Sequence, residues 1–254
     1  MFKGLSIAAS GMLAEMEKQT LIANNLANVD TAGYKKDVAA SQSFPSLLMY
    51  AVEGGSGGGH TLENRQPIGL LGTGVEVAET SVDLGQGALK QTENELDFAL
   101  MGDGFFVLST PGGERYTRNG SFTLDAQGRL VNQQGYPVQG EGGAIEIGGG
   151  EIQVDGSGNI IVDGQVVDSF KLVSFSGPEV LQKVGQNLFS ATASGSSASG
   201  VQVKQGYLEA SNVNAVQEMV EMIVALRAYE ANQRIVKSED QMLDKAVNDV
   251  GKLR

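Results

Sequence analysis

The sequence predicts an α+β fold, with a helix at each end, the two paired as an antiparallel coiled coil, and an all-β domain between them. Three observations carry this prediction. Apolar residues recur at spacings of three and four at both ends, the period of one helix face. The interior alternates short β-branched and aromatic runs with Gly and Asn turns. The 254 residues include 35 glycines, while the 41% hydrophobic content is that of a chain with a core; the glycine share is roughly twice the usual one.

In the first helix, Phe2, Leu5, Ala9, Met12, Met16, Gln19, Ala23 and Leu26 fall on one stripe, with Gln19 the polar exception. The opening residues also have a faint signal-peptide character. However, their positive region is the single Lys3, and Ser6, Ser10 and Gly11 break the apolar stretch, so a retained amphipathic helix is the better reading. The helix closes on Ala23-Asn24-Asn25-Leu26-Ala27-Asn28-Val29-Asp30-Thr31-Ala32-Gly33-Tyr34-Lys35-Lys36. Asparagine is a poor helix former, so Asn24, Asn25 and Asn28 are expected to bond to neighbouring helices or to backbone at the helix end, with Gly33 as the stop.

Residues 37–74 read as an extended connector, with an apolar patch from Phe44 to Tyr50 and a Gly-rich linker from Gly54 to His60. Residues 75–207 read as the β-rich domain. Its strands are expected at Val75–Val77, Phe105–Leu108, Ile145–Ile147, Ile152–Val154, Ile160–Val162 and Phe170–Val173, divided by turns such as Asn119-Gly120 and Asp163-Gly164. Residues 208–254 return to helix, and with residues 1–36 they make the terminal helical domain. Here Ala215, Met219, Met222, Leu226, Tyr229, Gln233, Val236, Asp240, Leu243, Val247 and Val250 keep a heptad, widened by Val216, Val220 and Ile223. Asn214 is the expected cap, with Gln217 closing a capping box. A Gln19–Gln233 amide pair across the seam would fix the register.

Chemistry is scarce. With no cysteine, the chain has no disulfide framework, thiolate metal site or cysteine nucleophile, and its one histidine, His60, supports neither a triad nor a metal cluster. A net charge of −12 disfavours a nucleic-acid partner. No Gly-Lys-Ser/Thr phosphate loop is present, and Gly102-Asp103-Gly104 lacks the third glycine of a dinucleotide fingerprint. Asp155-Gly156-Ser157-Gly158-Asn159 has oxygen ligands at alternate positions, but Ile160 and Val166 stand where a calcium loop needs Gly and Glu, so it reads as a plain turn. The expectation is a protein without catalytic residues, metal, cofactor or small-molecule substrate.

The run from Ala23 to Lys36 resembles the N-terminal signature of the bacterial flagellar rod and hook family. The resemblance continues through Gly72-Thr73-Gly74-Val75, Gln86-Gly87-Ala88-Leu89, Gly102-Asp103-Gly104-Phe105-Phe106, Tyr116-Thr117-Arg118-Asn119-Gly120-Ser121-Phe122, the stretch from Gly206 to Asn214, and Met222 to Leu243. It is weakest over residues 46–66. Hook proteins have a longer middle, so the chain resembles a rod subunit, most nearly the proximal-rod subunit adjoining the distal rod, with the distal-rod subunit as the alternative. A secreted β-rich adhesin is a more remote one, and it leaves the terminal heptads without a purpose. The resemblance implies export through the flagellar type III apparatus, self-association into a helical rod with neighbouring proximal and distal rod subunits, and a place in the basal body across the cell envelope. The assembly interface is expected at Leu5, Met12, Met16, Asn24, Asn25, Leu26 and Asn28 of the first helix, and at Met219, Met222, Ile223, Leu226, Tyr229, Val236 and Leu243 of the second.

Overall fold

The computed structural model describes residues 2–51, 66–148, 150, 152–177, 180–185, 187–193, 195–198 and 200–251. Two long helices, α1 (Phe2–Ala27) and α2 (Ala215–Gly251), bracket a succession of short strands. This is the α+β class expected. The start of α2 is set by its cap: Asn214 Oδ1 accepts from the backbone N–H of Val216 at 3.1 Å and of Gln217 at 3.3 Å, satisfying two donors the first turn leaves open. The end of α1 comes at Ala27, before Gly33, so Gly33 is not the stop. Its φ of +68° has another cause, since a Cβ there would lie 2.3 Å from the backbone nitrogen of Asn119.

The chain divides into two compact units. The first holds residues 1–23, 39–80 and 219–254. In it, β1 (Asp37–Ser43) pairs with β4 (Val75–Val82), and β2 (Leu47–Ala51) pairs antiparallel with β3 (Gln66–Leu71), Leu47 opposite Leu71 and Leu48 opposite Leu70. The described parts of the expected connector are therefore largely paired strands, while Gly54 to His60 lie outside the described residues. On the helices, a Cβ at Gly4 would lie 2.8 Å from Glu239 Oε1, and one at Gly11 would lie 2.7 Å from Asn232 Nδ2. Among the covered positions of α2 in this unit, Met222, Ala225, Tyr229, Asn232, Val236, Glu239, Leu243 and Ala246 keep a heptad, with Glu221 and Ala228 half-buried beside it. The stripe read from sequence shares Met222, Tyr229, Val236 and Leu243 with it. At the other heptad position the covered residue is one place earlier, so Met219, Leu226, Gln233, Asp240 and Val247 are exposed. The Gln19–Gln233 pair is not formed: Gln233 is exposed, and Gln19 Nε2 is buried with no hydrogen-bond partner among the described residues. Physically, small residues such as Gly4 and Gly11 admit a polar side chain where the apolar count alone favoured a methionine or leucine.

The second unit, residues 24–38 and 81–218, contains the β-rich region. Its main sheet has six strands in the order Leu181–Lys183, Phe189–Ala191, Gly113–Thr117, Phe105–Thr110, Leu172–Ser174, Ser196–Ser197, with every neighbouring pair antiparallel. The continuous apolar run Phe105-Phe106-Val107-Leu108 is explained by burial on both faces. Phe106 and Leu108 join a cluster with Phe98, Phe122, Leu130, Ile160 and Phe170, while Phe105 and Val107 join Tyr116, Val173, Leu181 and Phe189. Phe106 meets Phe122 and Phe170 edge to face at 5.2 and 5.3 Å, an arrangement that adds to area burial.

Turns obey one chemical rule. Asp125, Asn132 and Asp155 each direct Oδ1 at the backbone N–H groups two and four residues on, at 2.8–3.0 Å. A glycine with positive φ then completes each turn: Gly128, Gly135 and Gly158. The Asp155 oxygens are thus engaged by their own turn, Oδ2 accepting from Asn159 Nδ2 at 2.8 Å. Ile145–Ile147, expected as a strand, makes one isolated bridge among the described residues, Glu146 with Arg129.

Candidate functional site

Burying a charge is costly unless opposite charge and hydrogen bonds meet it, and the second unit buries Lys35, Arg118 and Glu209 together. Glu209 ends the short strand Tyr207–Glu209, which pairs with Leu89–Gln91 and carries it into the interior. Its Oε1 accepts from Lys35 Nζ and, at 2.8 Å, from the backbone N–H of Gly87; its Oε2 faces Arg118 Nη1 at 3.4 Å. Lys35 Nζ also donates to the Gly85 carbonyl at 2.8 Å, and Arg118 Nη2 to that of Gly102 at 2.7 Å. Burial pulls the pKa of the Lys35 ammonium down, against the opposing pull of Glu209, and Arg118 is lowered for the same reason. One carboxylate thus gathers five of the sequence blocks that carry the family resemblance, those of Lys35, Gly87, Gly102, Arg118 and Glu209 itself.

Beside it, Asn25 ties the end of α1 to the start of β1. Its Nδ2 donates to the Asp37 carbonyl at 2.9 Å and to Glu218 Oε2 at 3.4 Å, and its Oδ1 accepts from Asp37 N at 2.9 Å and from Tyr34 Oη at 3.1 Å. Lys183 Nζ lies 4.0 Å from the centre of the Tyr34 ring and bonds Asp37 Oδ2 and the Lys35 carbonyl, each at 2.8 Å. Burial, then the charges of Asp37 and Glu218, push the Tyr34 hydroxyl up to about 12. Gly33 N donates to the Glu209 carbonyl at 2.7 Å, and Asn212 Oδ1 accepts from Lys36 N at 2.8 Å. The motif after α1 is therefore built into the second unit by its own hydrogen bonds.

The expected interface residues separate into two groups. Asn25 is buried in this network, while Asn28 donates its amide back to the Asn24 carbonyl at 2.9 Å and Asn24 itself is exposed. Leu5, Met12, Leu26, Met222, Tyr229, Val236 and Leu243 are half-buried. Met16, Met219, Ile223 and Leu226 are exposed, as are Leu13, Val216, Val220 and Val224. Along α2, Val216, Met219, Val220, Ile223 and Leu226 make a long apolar face open to solvent in the single chain. Sequence reasoning missed Glu209, Arg118 and Lys35 as a cluster; their only common signal is that each sits in a block of the family resemblance. Among the described residues no group of three or more His, Cys, Asp or Glu is placed to hold a metal.

Comparison with known proteins agrees with these blocks. Three family models match: flagella basal body rod protein over residues 5–35, the flagellar hook protein FlgE/F/G D1 domain over residues 99–168, and the flagellar basal body rod FlgEFG protein C-terminal region over residues 204–249. The flagellar basal-body rod protein FlgG of Buchnera aphidicola subsp. Acyrthosiphon pisum is 38% identical, covering 96% of this chain and 98% of the relative. The chain belongs to the flagellar basal-body rod protein family. The FlgG proteins of Borreliella burgdorferi and Bacillus subtilis are 36% and 34% identical, each covering 98% of this chain and 98% and 99% of the relative. As a basal-body rod protein it is a structural component of the flagellum basal body in the cell envelope, and not an enzyme. It assembles with other rod components.

Proposed function

We propose that this rod subunit polymerises through its terminal helices, which pair as an antiparallel coiled coil and turn their apolar faces toward neighbouring subunits, making a helical drive shaft that transmits torque from motor to hook. Support for the pairing comes from register. Gly4 against Glu239, Gly11 against Asn232 and Asn25 against Glu218 have residue numbers with one constant sum, as an antiparallel pair in fixed register requires. The observation that carries the reading is apolar surface left uncovered. Ala8, Ala14, Ile22 and Ala225 are buried within the single chain, yet Leu13, Met16, Met219, Val220, Ile223 and Leu226 face outward. A helix pair meant to stay alone covers its large apolar side chains. Burying the outward side chains against other copies supplies about 1.5–3 kcal/mol for each large residue fully covered, and contacts between unlike patches extend without closing.

In this reading the Glu209 cluster holds the motif after α1 in place within the second unit. The relatives named FlgG favour the distal-rod position over the proximal one. Export by the flagellar type III apparatus belongs to the same proposal. The test is a strain lacking the gene, supplied with a Met219→Asp, Leu226→Asp chain. Both side chains are exposed, so the monomer should keep its circular dichroism and melting temperature, while basal bodies seen by electron microscopy should lack complete rods. Complete rods and normal motility would refute it.

A further inference from the structure

Apolar packing alone leaves two heptad helices free to slide past one another in steps of seven residues. Gly4, Gly11 and Asn25 of α1 stand at multiples of seven from one another, and so do Glu239, Asn232 and Glu218, which lie against them. A slip of one heptad therefore lays stripe on stripe again, with Gly11 against Glu239. We propose that Asn25 and Glu218 are the positioning residues that exclude this slip and fix the register of the terminal helices, an inference that rests on the antiparallel pairing proposed above.

The bonding of Asn25 carries the argument. Asn25 and Glu218 are each 2% exposed, and a side-chain amide offers two N–H donors and an oxygen with two lone pairs. Three of these four bonds are local: Oδ1 accepts from Asp37 N and Tyr34 Oη, and Nδ2 donates to the Asp37 carbonyl. They fix which way round the amide stands and leave one N–H for α2. That N–H meets Glu218 Oε2 at 3.4 Å. Glu218 in turn is placed by the cap of α2, its backbone N–H donating to the Asn214 carbonyl at 2.9 Å.

A slip of one heptad in one direction carries Asn25 to Ala225, which is fully covered and has no side-chain hydrogen-bonding atom, and carries Glu218 past Ala27, the end of α1. A slip the other way carries Asn25 past Ala215, the start of α2. Either leaves a buried polar side chain without its partner, which makes the slipped state roughly tenfold rarer or more for each group affected. Gly4 and Gly11 have no side chain to bond, so they admit either neighbour and do not set the register themselves.

The absence of cysteine from the chain allows register to be read by intramolecular disulfides. In the full chain, Gly11→Cys with Asn232→Cys reports the native register and Gly11→Cys with Glu239→Cys reports the slip, since seven residues are about 10 Å along a helix, beyond the reach of a disulfide. The otherwise wild-type chain, oxidised at high dilution, should form the first bridge and not the second. Glu218→Leu, which leaves the three local bonds of Asn25 in place, and Asn25→Leu should each raise the yield of the slipped bridge roughly tenfold or more. Glu218→Gln, whose side-chain carbonyl still accepts from Asn25, should keep the native bridge. An unchanged preference for the native bridge in both leucine variants, or loss of both bridges in them, overturns the assignment while leaving the pairing intact. Absence of the native bridge from the otherwise wild-type chain refutes the pairing and the assignment together.

Discussion

Lys35 and Glu209 form an ion pair in which the two side chains keep 1% and 0% of their exposure. Arg118, at 2% exposure, shares the same carboxylate. Removing one partner of such a group leaves buried charge uncompensated, which costs about 3–5 kcal/mol. Glu209→Gln is therefore expected to lower the unfolding free energy of the purified subunit by that amount in urea denaturation. A loss below about 1 kcal/mol would mean that water reaches the cluster.

Tyr34 gives a pH dependence with a definite sign. Its hydroxyl titrates near 12 in the folded chain against 10.0 unfolded, chiefly through burial and then through Asp37 and Glu218. The folded state thus favours the neutral form. The associated stability is complete below pH 10 and is lost as pH rises through 12, a change on the order of 2 kcal/mol. Lys35 and Lys183, lowered by burial, titrate in the opposite sense, so the comparison with Tyr34→Phe isolates the tyrosine. Wild type should be more stable than Tyr34→Phe at pH 8, by about 1 kcal/mol for the hydrogen bond to Asn25. That advantage should shrink between pH 10 and 12; parallel curves would contradict the assignment.

Two glycines with similar backbone angles should respond differently. Gly33 has φ +68° with Asn119 N at 2.3 Å from an added Cβ, whereas Gly135 has φ +82° and open space. Gly135→Asn, a residue that tolerates this region, should cost less than about 1 kcal/mol. Gly33→Asn should shift the melting temperature several-fold more, because the Arg118–Asn119 backbone and the motif must separate to admit it. Equal shifts in thermal melts would remove close approach as the reason for Gly33.

Gln19 has a buried amide nitrogen without a partner among the described residues. Leaving such a donor unmet costs about 1–3 kcal/mol, so Gln19→Leu is expected to raise the stability of the helical unit by about 1 kcal/mol in thermal unfolding. A fall of the same size would reveal a bond that forms in solution.

Legibility in the sequence divides along physical lines. The two helices, the Asn214 cap and most strands arise from periodicity and local hydrogen bonding, which neighbouring residues settle between themselves. The seam does not. Apolar counting selects every hydrophobic face together, and it cannot distinguish Met219 and Leu226, which face outward, from Ala225, which is fully covered. Close approach is set by Gly4 and Gly11, residues that contribute nothing to a hydrophobic stripe. The cluster at Glu209 was hidden for a related reason: a lysine, an arginine and a glutamate far apart in sequence look like solvated surface until the fold brings them together. The connector reads as unpaired because the described strands β1 to β3 are short ribbons with exposed apolar side chains such as Leu48 and Leu70, whose pattern lacks the alternation that marks a half-buried strand.

Cryo-electron microscopy of rods built from this chain tests most directly whether the terminal helices assemble the rod through the apolar face that the single chain leaves exposed. The map should place Gly11 of α1 against Asn232 of α2 within one subunit, and should bury Met219, Ile223 and Leu226 between subunits. Rods in which that face of α2 stays open to solvent, or in which subunits meet only through their β-rich regions, would contradict it.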